Sequence, residues 1–468
     1  MRRSLALVVA VVLLAACSNS STQKASSSTP AAPNILTGSI GAANYTIDVP
    51  QPWNGTLFLY SHGYVAPGST NPTSASQDPV TGQWLLAGGY ALAASSYSST
   101  GWAIEQALRD QVALLDYFDR HVGKPKRVIA VGVSLGGIIT AGLVQTYPDR
   151  FAGAMPLCGV LAGGVAAWNT GLDSAYAFKT LLAPGSPLQV VNITDPAANM
   201  KLAADLMTKA GQTPAGKARI ALMAALAGIP GWFLPTQPEP APTDYAAQAA
   251  AQALWESRVD FPFAFGYRAE LEKRAGGNPS WNIGVDYRHQ LEMSPYRSEV
   301  TALYRDAGLG LNADLAALNA GATIKPDVRA VAYVDRYISF DGGITVPVLT
   351  AHTTADGLVV PQDETAYADV VRAAGKQDLL RQAYVHRAGH CAFTSAEVIS
   401  LIKVMLNRLD SGRWDDESLR PAALNAAALA LGSQDNAIGG FFASPPSFVD
   451  YAPGPYPRPF AKGSTVPA

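Results

Sequence analysis

Cysteine and charge are both scarce in this 468-residue sequence. Three cysteines, Cys17, Cys158 and Cys391, cannot build a zinc ribbon or a dense disulfide scaffold. Charged residues make up 15% of the chain, and 34 basic against 36 acidic residues leave a net charge of −2. No broad field therefore exists to steer a polyphosphate or nucleic acid, and nucleic acid is not expected as a partner. There is no internal repeat. What the chain has is apolar bulk: 48% hydrophobic residues and a mean hydropathy of +0.09, far from the composition of disorder. Its length allows two to four domains, or one enlarged by insertions.

The first seventeen residues read as an export signal. Met1-Arg2-Arg3 is a short basic start, Ser4 through Ala16 an apolar run, and Leu14-Ala15-Ala16-Cys17 a small-residue processing site. The run is too short to cross a hydrocarbon core of about 30 Å as a helix. The tetrapeptide resembles a bacterial lipobox, which implies lipid on Cys17 and a cell-envelope or secreted location, with the membrane touched only through that anchor. Residues 18–34, rich in Ser, Thr, Pro and Ala with no apolar period, have the composition of a solvated tether. With Cys17 lipidated, two cysteines remain in an oxidising compartment, an even number that makes Cys158 and Cys391 a candidate bridge. Two free buried thiols are the alternative.

Beyond the tether, short apolar runs read as buried strands at Thr56–Tyr60, Tyr90–Tyr97, Arg127–Val133, Ala152–Cys158, Val346–Thr350 and Gln382–His386. Continuous apolar runs suit parallel strands covered on both faces. Ile104, Leu108, Val112, Leu115 and Phe118 recur at helical spacing between the second and third, and Leu135–Tyr147 follows the third. Strand and helix alternate, so the fold class is α/β with a mostly parallel sheet. The alternation fails over residues 159–345, too long for an ordinary crossover. Ala-rich stretches at Lys201–Ala227 and Tyr245–Ser257, separated by the Pro-rich Leu234–Thr243, predict a helical cap inserted there. The core is thus expected in two parts, residues 35–158 and 346–410, followed by an extension, residues 411–468, packed on the surface.

Gly132-Val133-Ser134-Leu135-Gly136 sits where a strand ends and a helix begins. Such a turn forces its central residue into a strained conformation. Glycines two before and two after remove side chains that would collide, which presents the Ser134 hydroxyl at the sheet edge. The following helix N-terminus offers the Leu135 N–H to a developing oxyanion. A serine hydroxyl needs an imidazole to take its proton. His390, just beyond the last strand in Arg387-Ala388-Gly389-His390-Cys391, is the first choice; His386, at that strand's end, is the rival. His352 lies beside a strand end, and His121 and His289 fall in helical or cap segments. The imidazole needs an acceptor for its other N–H. Asp356, in the loop after Val346–Thr350, emerges at the same edge as Ser134. Asp341 precedes that strand, and Asp363 and Glu364 read as solvated surface charges in a following helix. Ser61-His62-Gly63-Tyr64 ends an early strand, so the Tyr64 N–H is the second oxyanion donor and His62 orients the loop.

In these stretches (HGY, GVSLGG, TADG and AGHC, in that order) the chain resembles an α/β-hydrolase over about Thr56–Cys158 and Val346–Leu409. The resemblance implies hydrolysis of carboxylic esters or amides without metal or organic cofactor. Secreted esterases and prolyl-oligopeptidase-like enzymes share phrases such as Gly101-Trp102. Gly357, where Pro or Asp is commoner, leaves the acid loop freer. The expected activity is ester hydrolysis through an acyl-enzyme, on a small or oligomeric substrate with an apolar part shaped by the cap, Trp168, Trp232 and Phe233. A peptidase is the alternative, favoured by an acidic site for a substrate ammonium at Asp173 or Glu256. A lipid-anchored binding protein without catalysis is a third class, which a complete Ser, His and Asp set opposes.

Overall fold

The computed structural model describes residues 31–467. The signal segment, Cys17 and the tether up to residue 30 lie outside the described residues. Residues 31–34, expected in the tether, instead begin strand β1 (Ala31–Ile40), which pairs antiparallel with β2 (Ala43–Gln51).

Helix α1 (Pro79–Ala87) follows β3 (Thr56–Ser61), and β4 (Ala91–Ser95) leads to α2 (Ile104–His121). Next come β5 (Arg127–Val133), α3 (Leu135–Thr146) and β6 (Gly153–Leu157). After the insertion the chain resumes with β7 (Val348–Ala355), α13 (Gln362–Ala373), β8 (Leu380–Ala388) and α14 (Ser395–Ser411). Six strands in the order β4-β3-β5-β6-β7-β8 pair in parallel, and β2 joins β4 antiparallel, so β1 and β2 form one edge of the sheet.

Alternation of side chains across the sheet builds two cores. From β3, Leu57 and Leu59 face the layer of α2 and α3, while Phe58 and Tyr60 face that of α1 and α14. In α2 the buried residues Ile104, Ala107, Leu108, Gln111, Leu115 and Phe118 recur every three or four positions, as an amphipathic helix requires. Helix α3 is buried over ten of its twelve residues, with α2 and Ile338 packed on it beside the sheet.

Residues 159–345 are a helical insertion. It comprises α4 (Gly164–Leu182), α5 (Pro196–Ala210), α6 (Pro214–Ala227), α7 (Tyr245–Trp255), α8 (Arg268–Ala275), α9 (Tyr287–Met293), α10 (Arg297–Asp306), α11 (Leu311–Gly321) and α12 (Val328–Arg336). Its own core gathers Leu172, Phe178, Leu222, Phe261, Phe265 and Tyr304. The expected helix Lys201–Ala227 is two helices. Thr213 caps α6 by accepting from Gly216 N, and Pro214 occupies the first helical position, where its missing N–H costs nothing. After α7 the chain widens into two π-helical turns, Glu256–Asp260 and Phe263–Tyr267, a geometry often found at functional sites.

The C-terminal extension does more than cover the surface. Helix α15 (Pro421–Leu429) and a small hairpin of β9 (Ala437–Ile438) and β10 (Phe442–Ala443) precede β11 (Phe448–Val449), which closes the far sheet edge antiparallel to β8. Beyond it, Arg458 grips the buried Asp173 of the cap at 2.8 Å.

Candidate active site

Ser134 stands between β5 and α3 with φ 58° and ψ −124°, a left-handed conformation that a non-glycine residue adopts only where its surroundings impose it. The glycines beside it are steric necessities. A Cβ at Gly136 would collide with the Ser61 carbonyl of β3, and one at Gly132 with the Gly136 carbonyl. Gly63 also lies close, since a Cβ there would sit 3.3 Å from that of Ser134. Tyr64 follows it, with its ring tilted on Phe263 at 4.9 Å, and Leu135 opens α3.

Parallel strands deliver the partners to the same edge. The His390 ring reaches the serine from the loop after β8, accepting from Ser134 Oγ at Nε2 (2.8 Å) and donating from Nδ1 to Asp356 Oδ2 (2.7 Å); the donor roles follow from the partners. Asp356 stands directly after β7 and is fully buried. Its Oδ1 accepts from the N–H groups of Leu358 and Val359 at 3.0 and 3.1 Å. Burial alone would raise its pKa. The opposing charge of His390 and hydrogen bonds from His352 and His390 outweigh burial and hold it well below the usual carboxylate range.

Cys158, just past β6, and Cys391, beside His390, form a disulfide with Cα atoms 5.4 Å apart. Both residues are left-handed, with φ 44° and 53°. The candidate pairing is therefore the one present, and it ties the His390 loop to the end of β6.

No protein-family profile matches the chain. It is 30% identical over 423 residues to o-phthalyl amidase of Xanthobacter agilis, a match covering 83% of this chain and 89% of the amidase. The chain belongs to the family of that amidase, among the α/β-hydrolases. Solved structures with remote likeness include an esterase from Aspergillus oryzae (13% identity, 81% of this chain and 79% of that one, TM-score 0.42). Another is Est1E from Butyrivibrio proteoclasticus (12% identity, 80% and 99%, TM-score 0.36). These two carry nothing to the site.

In this hydrolase a cavity of about 140 Å³ opens beside Ser134, Leu135 and Tyr64, between the sheet edge and the cap. Trp102, Trp168, Ile229, Phe263 and Leu358 are among the residues of its apolar wall. Of the aromatics expected there, only Trp168 lines it. Phe233 packs edge-on against Trp255, and the Trp232 indole donates to the Gln237 carbonyl. Glu256, offered as an acidic site, lines it too, whereas Trp102, Asp260, Phe263 and Tyr456 of the extension were not legible as lining, because their approach depends on the fold of the cap.

The remaining titratable candidates fall into place by partner. His386 is exposed, facing Glu239 at 3.1 Å, and His121 and His289 are also on the surface. His62 stacks on Tyr97 at 4.0 Å, with Nδ1 2.8 Å from the Gly63 carbonyl, which fixes the loop before Tyr64. Asp341 is exposed and pairs with Lys462 at 3.3 Å. Asp363 and Glu364 correct the expectation of solvated charges, being 2% and 0% exposed. Asp363 accepts from the Ala162 N–H at 2.8 Å and lines the cavity, and its burial pushes its pKa up to about 8. Glu364 accepts from Thr350, His352 and Gln382. Asp173 is spent on Arg458 away from the cavity, whereas Glu256 lines it and accepts from Ser174 Oγ at 2.7 Å. Asp260 joins it, with a buried Oδ2 that has no hydrogen-bond partner among the described residues. Burial raises both acids, Glu256 to about 7, and the Glu256 and Asp356 charges add to the rise at Asp260.

Proposed function

We propose that this hydrolase cleaves compact carboxylic esters and amides carrying an aromatic acyl group, through an acyl-enzyme on Ser134. The observation that carries the reading is the unbroken chain of contacts from Ser134 Oγ through His390 to Asp356, at 2.8 and 2.7 Å. His390 takes the hydroxyl proton as Ser134 attacks the carbonyl carbon, Asp356 steadies the imidazolium, and the proton passes to the leaving alcohol or amine. Water then attacks the acyl-enzyme with His390 as base. The backbone N–H groups of Tyr64 and Leu135 receive the tetrahedral oxygen.

The aromatic acyl group is supported by two facts. The cavity, about 140 Å³ and walled by Trp102, Trp168 and Phe263, is close to the ~150 Å³ that holds one benzene ring. The relative named o-phthalyl amidase, by its name, acts on an amide of a single-ring acid. That name also brings amides beside the esters expected from sequence. A second reading, cleavage of aminoacyl amides, is favoured by Glu256 and Asp260. Both line the cavity, and among the described residues neither pairs with a basic side chain. Their raised pKa values weaken it, because a protonated acid attracts an ammonium poorly.

The test is a substrate panel on the purified chain: p-nitrophenyl benzoates, monoamides of phthalic acid and aminoacyl p-nitroanilides, with fluorophosphonate labelling in parallel. Turnover of the first two and labelling at Ser134 are expected. Turnover of aminoacyl amides alone transfers the conclusion to the second reading. Absence of both turnover and labelling removes the enzyme reading.

A further inference from the structure

Beside Asp356 lies a second histidine that the reaction does not use. His352 is central in β7 and fully buried. Each of its ring nitrogens meets an acceptor. Nδ1 faces Glu364 Oε1 at 3.1 Å, and Nε2 faces the Val359 carbonyl at 2.7 Å and Asp356 Oδ2 at 3.5 Å. That Asp356 oxygen is the one that accepts from His390.

The surroundings favour one protonation state. A neutral imidazole would leave a lone pair pointing either at a carboxylate or at a carbonyl, a buried repulsion. Glu364 cannot turn away, since Thr350 and Gln382 also hold its carboxylate. The other titratable groups nearby are Asp363, beside Glu364 in α13, Tyr384, opposite His352 in β8, Tyr367, which feels the Glu364 charge, and Asp260, which feels that of Asp356 and is raised by burial. Asp363, its pKa raised by burial to about 8, is neutral below that pH, and Tyr384 and Tyr367 are likewise raised by burial. No basic side chain competes within this cluster among the described residues.

We propose that His352 is a permanently protonated positioning residue, clamped between Glu364 and Asp356, whose charge keeps the Asp356–His390 unit in working form toward acidic pH. The inference rests on the Ser134, His390 and Asp356 mechanism proposed above. In support, although burial works against the charge, hydrogen bonds to Asp356 and Glu364 and their negative charges push the pKa of His352 up to about 10. A fixed cation 3.5 Å from Asp356 Oδ2 opposes any further proton on the unit.

Two measurements test it. In the full chain labelled with 15N-histidine, the His352 resonance, assigned by its loss in His352→Gln, should show both ring nitrogens protonated from about pH 6 to pH 9. A neutral tautomer anywhere in that range overturns the proposal, and this readout does not depend on activity. The second is the pH dependence of fluorophosphonate labelling of Ser134. In His352→Gln the acidic limb should move up by about one pH unit, a tenfold change in the proton affinity of the coupled unit. A uniform loss of rate at every pH with the limb unmoved marks a merely structural histidine and overturns it. His352→Asn serves if the Gln variant fails to fold. Failure of the parent chain to label would count against the proposed mechanism, while the resonance would still decide the state of His352.

Discussion

The indole of Trp255 lies against Gly357, so close that a Cβ on that glycine would overlap Cγ and Cδ2 of the ring. Trp255 cannot retreat easily. It is 2% exposed, donates from Nε1 to the Trp232 carbonyl at 2.9 Å and packs on Phe233. The glycine after Asp356 therefore makes room for the cap, and is not there to loosen the loop as sequence alone suggested. Gly357→Ala should destabilise the protein by about 1–3 kcal/mol through overpacking. It should also lower kcat/KM roughly 10–100-fold by displacing Asp356. Urea unfolding and ester hydrolysis measure the two, and Gly357→Ala with Trp255→Phe should recover part of each. Parent-like values for Gly357→Ala would show that the cap yields freely there.

Arg387 and Glu397 form a buried ion pair, Nη1–Oε2 2.6 Å and Nη2–Oε1 2.9 Å, under the His390 loop. The guanidinium also donates to the carbonyls of Ala392 and Pro445, and Glu397 accepts from the Thr394 N–H in a capping box that starts α14. One pair thus fixes β8, the loop and the extension. Glu397→Ala would strand a buried guanidinium and should cost about 3–5 kcal/mol. Arg387→Met with Glu397→Leu should cost less than that single change, because no charge is left unpaired. Denaturant midpoints decide between this and a dispensable pair, for which the single change would cost under about 1 kcal/mol.

Ser134, Asp356 and His390 were legible because each follows a strand, and parallel strands place their following loops at one sheet edge. The apolar runs at Thr56–Tyr60 and Arg127–Val133 gave those strands nearly residue for residue. The edge strand β1 was not legible, since it is largely exposed, with Ile35 59% exposed, and so carries no apolar run, and its neighbour β2 alternates buried with exposed or half-buried residues and carries none either. Asp363 and Glu364 were misread for a different reason. Acids in a first helical turn are ordinarily solvated, and their burial depends on Ala162, His352 and Gln382, which only the fold brings to them. Asp260 and Phe263 reach the cavity through π-helical turns, for which the sequence offers no period to read.

The Cys158–Cys391 bridge closes a separation of 233 residues, a long loop that places its effect toward the upper part of the usual ~2–5 kcal/mol. Cys158→Ser with Cys391→Ser should lose stability in that range. Activity should fall less than about tenfold, because Asp356 and the Arg387 network still hold the His390 loop. Thermal unfolding with and without dithiothreitol checks this: the reductant should lower the midpoint of the parent and leave the double variant unchanged. A parent midpoint indifferent to reductant under conditions that release both thiols would deny the bridge any stabilising part.

Asp363 should make stability fall with rising pH. Its carboxyl ionises near the ordinary value of about 4 in the unfolded chain, whereas burial in the native cavity wall raises it to about 8. Between these values the unfolded state has released a proton that the native state keeps, so unfolding is increasingly favoured as pH rises. The stabilising contribution is whole below about pH 4 and is lost as pH climbs through about 8. Asp363→Asn keeps the oxygen that accepts from Ala162 and removes the titration. The stability of the variant relative to the parent should therefore grow by a few kcal/mol between about pH 4 and pH 8 and level off above. Parallel curves for the two proteins across that range would mean that the carboxyl is ionised in the folded state, with a compensating cation drawn to the cavity wall.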